Sequence, residues 1–504
     1  MKLWKFDVSS TKTIAWTLIS CIAIKVLYFA FCDLLLTWDS YDYISSAGFG
    51  WITGNVDRYR LPLYPMLIDV FSGLGDSQSL YAVAYLQLLL SSLSVLFFYK
   101  TLRLLGCRVF LCLIITLYYA ICPAIIGWEK TMLTESLSLS FTVFICYNFA
   151  AYLNKREKKY ALLTIVMLTL ASFLKAVFAV YTGLLLSFFI FRFIFPCIKD
   201  TISRREQRKN DAWGILFCLI PVALLIAYAS CFNRLYGGWT ISDSGLGQQV
   251  TVVTSDTDYY KQGRDPEIIE MINSLKAHPA RCTMKSQTKR LKKELEKNWT
   301  LTEADDKLIE LFLLDIGKRK GFMNPALEAR RIKVITNDGE HSSRAAACGS
   351  IRGNIMESFP RKKIVSFVRN AYLGNISSNI VRIIKNCKGS YGNYSSSSTI
   401  LSKIARNLPR LTSLIIPCSM PVSVLIGLSG LFMFLACYWF QKNINWILLT
   451  SSTLVLITVM FALVGTNGEF PRTALTAVPI QIVLIAYISE IILRHTKIER
   501  VCLT

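Results

Sequence analysis

Ten long apolar runs limit what this chain can fold into more than any other feature. They fall near 14–36, 79–99, 109–127, 132–152, 159–174, 177–196, 212–232, 413–439, 444–464 and 473–493. A helix needs about 20 such residues to cross a bilayer. With a mean hydropathy of +0.42, most of the chain has lipid for its solvent. The expected fold is an all-α polytopic membrane protein of about ten transmembrane helices, with closed backbone hydrogen bonding inside each span. The first run is too long and too late for a cleaved leader: it has no small-residue cleavage site and is followed by Asp and aromatics. It should therefore stay in the mature protein.

Basic residues in the short loops set the expected orientation. Lys2, Lys5 and Lys12 precede the first run, and Lys100, Arg103 and Arg108 separate the second and third. Lys155, Arg156, Lys158 and Lys159 follow the fourth, Arg204, Arg205, Arg208 and Lys209 follow the sixth, and Arg494, Lys497 and Arg500 lie near the end. With ten spans all of these share one face, and Lys/Arg-rich short loops face the cytoplasm. Both termini are then cytoplasmic.

The opposite face collects the unusual polar residues. The first outer loop reads WDSYDYISSAGFGWITGNVDRYRLPLYP from Trp38 to Pro65, with Asp39 and Asp42 at its start and Arg58 and Arg60 near its end. Glu129, Lys130 and Glu135 surround the start of the fourth run, Lys175 breaks the fifth from the sixth, and Glu469 and Arg472 precede the last. An ionised group at a membrane edge is costly and usually has a use. Single residues of this kind can simply snorkel to the interface. Charges of both signs converging from four loops point instead to a site for a charged, partly lipidic substrate.

Three parts are expected: an N-terminal membrane module over 1–232, an exterior soluble domain over 233–412, and a C-terminal membrane module over 413–504. The middle part has no spanning run. Helical apolar spacing recurs in Pro266–Leu275, Lys289–Trp299 and Thr302–Ile316, so this domain should be mainly helical. Pro360–Ile384 is amphipathic and basic, and could lie along the bilayer surface. Net charge is +23, but an exterior location makes nucleic acid an implausible partner.

Most of the fifteen cysteines lie in apolar runs, where Cys acts as a small hydrophobe. Cys231, Cys282, Cys348 and Cys387 lie at or in the outer segment, with no spacing that specifies a disulfide. No zinc-type motif or Walker loop occurs, so no nucleotide-driven step is visible.

These features resemble the C-type (GT-C) membrane glycosyltransferase superfamily, in particular its bacterial dolichyl-phosphate-mannose mannosyltransferase and aminoarabinose-transferase-like branch. In that family an Asp opens the first outer loop, a Tyr and small residues follow, and a basic residue leads into Pro-rich sequence. Asp39, Tyr43 and Ala47 fit the first part, and Arg60-Leu-Pro62-Leu-Tyr64-Pro65 fits the second. Thr134-Glu135 is similar to the pair that opens the fourth helix, and Arg472 with Pro479 is similar to the family's last-helix motif. Two departures concern detail. Ser40 stands where members often have a second acid, and the soluble domain lies between the seventh and eighth spans rather than nearer the C-terminus.

The resemblance implies an enzyme of the bacterial inner membrane, with its site on the periplasmic face. It would move a sugar from a polyprenyl-phosphate donor to a lipid, glycan or protein acceptor. Such transfer needs a base for the acceptor hydroxyl and cations for the departing phosphate. Asp39 is the candidate base, with Asp42 in support, and Arg60, Lys175 and Arg472 are candidates for the phosphate. Tyr43, Arg58, Tyr64, Glu135 and Glu469 are supporting residues. One carboxylate base with no nucleophile partner suggests displacement with inversion. A divalent cation (Mg or Mn) held by Asp39 and Asp42 is compatible with this chemistry but not required by it. Two rivals make different demands: an O-antigen polymerase or ligase would keep its essential residues in the outer loop, and a transporter or flippase would place charges at mid-membrane depth.

Overall fold

The computed structural model describes residues 10–31, 34, 38–47, 56–74, 76–194, 204–255, 259–277, 355–356, 358–373, 420–441, 445–465 and 475–495. The regular elements among them are helices. In chain order the N-terminal ones are α1 (Thr11–Phe31), α2 (Trp38–Ser45), α3 (Leu63–Val70), α4 (Asp76–Leu104), α5 (Val109–Ile121), α6 (Pro123–Ile126), α7 (Glu135–Lys155), α8 (Lys158–Ser172), α9 (Val177–Ile194) and α10 (Arg204–Tyr236). There follow α11 (Ser244–Ser255), α12 (Pro266–Ala277), α13 (Arg361–Leu373), α14 (Met420–Gln441), α15 (Trp446–Gly465) and α16 (Val478–His495).

Each predicted apolar run overlaps at least one helix among the described residues, though not every one of these is long. Among the described residues, seven stretches are long and apolar enough to cross a membrane on length and composition; Val109–Ile121 and Trp446–Met460 are shorter. The third run is divided because Pro123 cannot continue the hydrogen-bond ladder of α5. The break predicted around Lys175 lies between α8 and α9.

Helix α7 packs against α4, α8 and α16. Small residues allow this close approach: Ser136, Ser138, Ser140 and Thr142 are all buried on α7. Three of the hydroxyls donate within the helix: Ser138 to the Thr134 carbonyl at 2.6 Å, Ser140 to the Ser136 carbonyl at 3.1 Å, and Thr142 to the Ser138 carbonyl at 2.9 Å. Thr142 also lies 3.0 Å from the Thr476 carbonyl, which joins α7 to the turn before α16. With its backbone fixed in this way, α7 holds Glu135 rigidly at its N-terminus.

Beyond the membrane helices, α11, α12, α13 and the 3-10 turn Tyr259–Gly263 share a small core of Leu246, Val250, Tyr260, Ile268, Ile272, Ile364, Phe367 and Val368. The expectation that Pro360–Ile384 lies on the bilayer needs correction over its described part. The apolar face of α13 is buried in this core, since neighbouring helices offered it a dry partner. The predicted helices at Lys289–Trp299 and Thr302–Ile316, and Cys282, Cys348 and Cys387, lie outside the described residues. Cys231 is a free thiol.

Candidate functional site

Asp39 and Tyr43 are four residues apart on α2 and so share one face. The chain returns through a turn pinned by Asp57, which is buried. One Asp57 carboxylate oxygen accepts the backbone N–H groups of Tyr59 and Arg60, both at 2.7 Å, and the other accepts the Ser46 hydroxyl at 2.9 Å. An acid that binds backbone two and three residues ahead fixes a tight turn. This turn aims Arg60 at α2: its Nη2 donates to Asp39 Oδ1 at 2.6 Å, and its guanidinium lies 4.7 Å from the Tyr43 ring. The Tyr43 ring meets Tyr64 edge-on at 5.0 Å.

Tyr64 is fully buried on α3, and its hydroxyl donates to Gln87 Oε1 at 3.0 Å. Burial, with Tyr43 and Glu135 nearby, pushes its phenol well above the ordinary value, so it remains a neutral donor. The start of α3 is tied to the end of α8, where Leu63 N–H donates to the Phe173 carbonyl at 3.1 Å. Two residues beyond Phe173, Lys175 reaches Glu135 at 3.4 Å. Glu135 occupies the first turn of α7, where the helix dipole favours a carboxylate.

Asp39, Arg60, Glu135 and Lys175 thus form two ion pairs around Tyr43 and Tyr64. The pairs differ in access: the Asp39 side chain is 25% exposed, whereas that of Glu135 is 0% exposed. Asp39 can meet an incoming hydroxyl, while Glu135 is sealed and suited to orienting Lys175. Arg58 is placed elsewhere and pairs with Asp243 at 3.0 Å. Asp42 lies on α2, but its side chain, and all of Glu469 and Arg472, lie outside the described residues. Among the described residues no group of three or more His, Cys, Asp or Glu gathers as a metal site.

Several buried charged groups escaped the sequence reading, Asp57 and Asp243 among them, and one lies inside an apolar run. Lys25, inside α1, forms a fully buried ion pair with Glu129. Ser91 donates to the same Glu129 oxygen at 2.6 Å, and Gln87 holds the Glu129 carbonyl at 3.0 Å. Burial pushes the Glu129 carboxyl above its ordinary value, with Lys25 and Ser91 acting against that rise. The signal was present in the sequence as a lysine in the interior of an apolar run.

Residues 64–234 match the family model for dolichyl-phosphate-mannose-protein mannosyltransferase. The matched stretch covers about a third of the chain, from α3 to the end of α10. No curated protein sequence matches the chain. Among solved structures, the S. cerevisiae protein O-mannosyltransferase Pmt1-Pmt2 complex bound to the sugar donor is similar at 19% identity and a TM-score of 0.37, over 48% of this chain and 37% of that one. The oligosaccharyltransferase AglB from Archaeoglobus fulgidus, in complex with an inhibitory peptide and a dolichol-phosphate, is similar at 12% identity and a TM-score of 0.43, over 95% of this chain and 50% of that one. The chain therefore spans half or less of the length of either.

Proposed function

We propose that this protein is a membrane glycosyltransferase of the GT-C type, which transfers a sugar from a polyprenyl-phosphate donor to a lipid, glycan or protein acceptor at the outer face of the membrane. The observation that carries this reading is the Asp39–Arg60 pair, an accessible carboxylate held at 2.6 Å by an arginine. Each group of the pair offsets the charge of the other. A donor phosphate competes for Arg60, whose planar fork suits phosphate oxygens. Once Arg60 turns to the phosphate, Asp39 is released as the base for the acceptor hydroxyl. The hydroxyl oxygen then attacks the anomeric carbon as its proton passes to Asp39. The bond to the phosphate oxygen breaks, and that oxygen leaves with the electron pair, with Arg60, Lys175 and Arg472 offsetting its charge. Attack opposite the leaving group inverts the anomeric centre.

The proposed three-part organisation and orientation, with both termini cytoplasmic, can be checked separately. Reporter fusions at residues 155 and 205 should read inside and a fusion at 300 outside. A cytoplasmic reading at 300 would separate the loops that the site requires on one face.

The decisive test is transfer from a panel of polyprenyl-phosphate sugars into native lipid, glycan and protein fractions. Arg60→Lys and Arg472→Lys keep charge but lose the fork, so each should slow transfer, and the alanine variants should be worse. Arg330→Ala and Arg331→Ala should have little effect. The reverse pattern would favour a polymerase or ligase.

A further inference from the structure

We infer that Asp243, in the outer segment, is a positioning residue for Arg60, so that the donor-binding geometry of the first loop depends on docking of the outer segment. The inference rests on the function proposed above. Its ground is a clamp on residues 56–60. Asp243 is fully buried, and its two carboxylate oxygens face different arginines: Oδ2 accepts Arg58 Nε at 3.0 Å, and Oδ1 accepts Arg361 Nε at 2.8 Å. One arginine comes from the first loop and the other from the start of α13. The backbone adds further ties. Asp243 N–H donates to the Arg58 carbonyl at 2.8 Å, Ser242 Oγ to the Tyr59 carbonyl at 2.8 Å, and Tyr236 to the Val56 carbonyl at 2.8 Å. Arg58 Nη1 also donates to the Met356 carbonyl at 2.7 Å.

The outer segment therefore holds residues 56, 58 and 59 while Asp57 holds the amides of 59 and 60. Arg60 follows immediately, and its reach to Asp39 is set by where this turn sits. A buried carboxylate between two guanidinium groups is a strong, directional anchor. Neutralising it leaves two cations facing each other across a site with no counter-charge, which should loosen the whole turn. Small displacements matter at such a site, because about 1 Å of misplacement can cost on the order of 10²-fold in rate. Sugar–phosphate chemistry in the membrane domain would thereby be tied to a segment far downstream of Arg60 in sequence.

The test uses the full chain in lipid nanodiscs, with polyprenyl-phosphate mannose as the binding probe. Asp243→Asn removes the anchor. Gly238→Ala leaves Asp243 intact but would place a methyl 2.3 Å from Arg361 Nη1, pushing that arm away. Arg361→Gln is a milder third variant should Asp243→Asn fail to fold. Each should raise hydrogen exchange at the amides of Tyr59 and Arg60 and weaken probe binding, by roughly 10- to 100-fold for Asp243→Asn. In an Arg60→Ala background, Asp243→Asn should add little, because the residue it positions is already gone. A merely structural role predicts losses that multiply. Unchanged exchange at residues 59 and 60, or multiplying losses, would overturn the inference. A wild-type protein that binds no polyprenyl phosphate would instead sink the functional reading, while the exchange measurement would still decide the clamp.

Discussion

Asp39→Asn is expected to reduce sugar transfer by at least about 10²-fold, the low end for loss of a general base, with folding and membrane level unchanged. The substitution keeps size and shape while removing the proton acceptor. It also removes the anion that holds Arg60 at 2.6 Å. Arg60 then loses the competing carboxylate and is more available to a donor phosphate, so donor KM should stay level or fall as kcat drops. This split distinguishes loss of a base from loss of a binding residue. Arg60→Ala should do the reverse to donor affinity. Steady-state transfer by the two variants in parallel is the measurement. Near-normal turnover by Asp39→Asn would remove Asp39 from the role of base and move it to Asp42.

The membrane helices were legible because lipid leaves a chain few options. A span must be long, apolar and internally hydrogen-bonded, and that pattern can be counted along a sequence. Several of the charges at the helix ends were also legible, since a carboxylate such as Glu135 at the start of an apolar helix stands out against its neighbours. Which charge would meet which was not. Arg58 and Arg60 are two residues apart and chemically alike, yet Arg60 faces Asp39 while Arg58 faces Asp243. The turn that separates them depends on Asp57, whose role appears only when its contacts to residues 46, 59 and 60 are seen together. The surface placement suggested for the α13 region failed for a related reason. An amphipathic stripe shows that a helix face must be buried, but not whether lipid or protein covers it.

Lys25 tests how far the membrane domain relies on buried charge. It sits inside α1, fully buried, with Glu129 and Ser91 as partners. Lys25→Met fills the same space with apolar atoms but leaves Glu129 buried without its cation. Breaking a buried pair on one side costs about 3–5 kcal/mol, so the variant should lose much of its thermal stability in detergent. The loss should depend on pH with a defined sign. Burial already pushes Glu129 above its ordinary value, and removing Lys25 pushes it further. A carboxyl raised by folding favours the folded state in its protonated form, and that advantage disappears as pH rises through the folded value. Lys25→Met should therefore be least damaging in acid and most damaging at neutral and alkaline pH. Adding Glu129→Gln removes the stranded charge and keeps a side-chain acceptor for Ser91, so the double variant should recover most of the loss at all pH values. Thermal unfolding of the three proteins across pH makes the comparison. A single variant as stable as the wild type, or a double variant no better than the single, would show that the pair does not bear the buried charge seen here. If stability returns in the double variant but transfer does not, the charge of the pair serves the chemistry as well. The turn it secures leads directly through Lys130 and Thr134 to Glu135, so a shift there would reach the cation at Lys175.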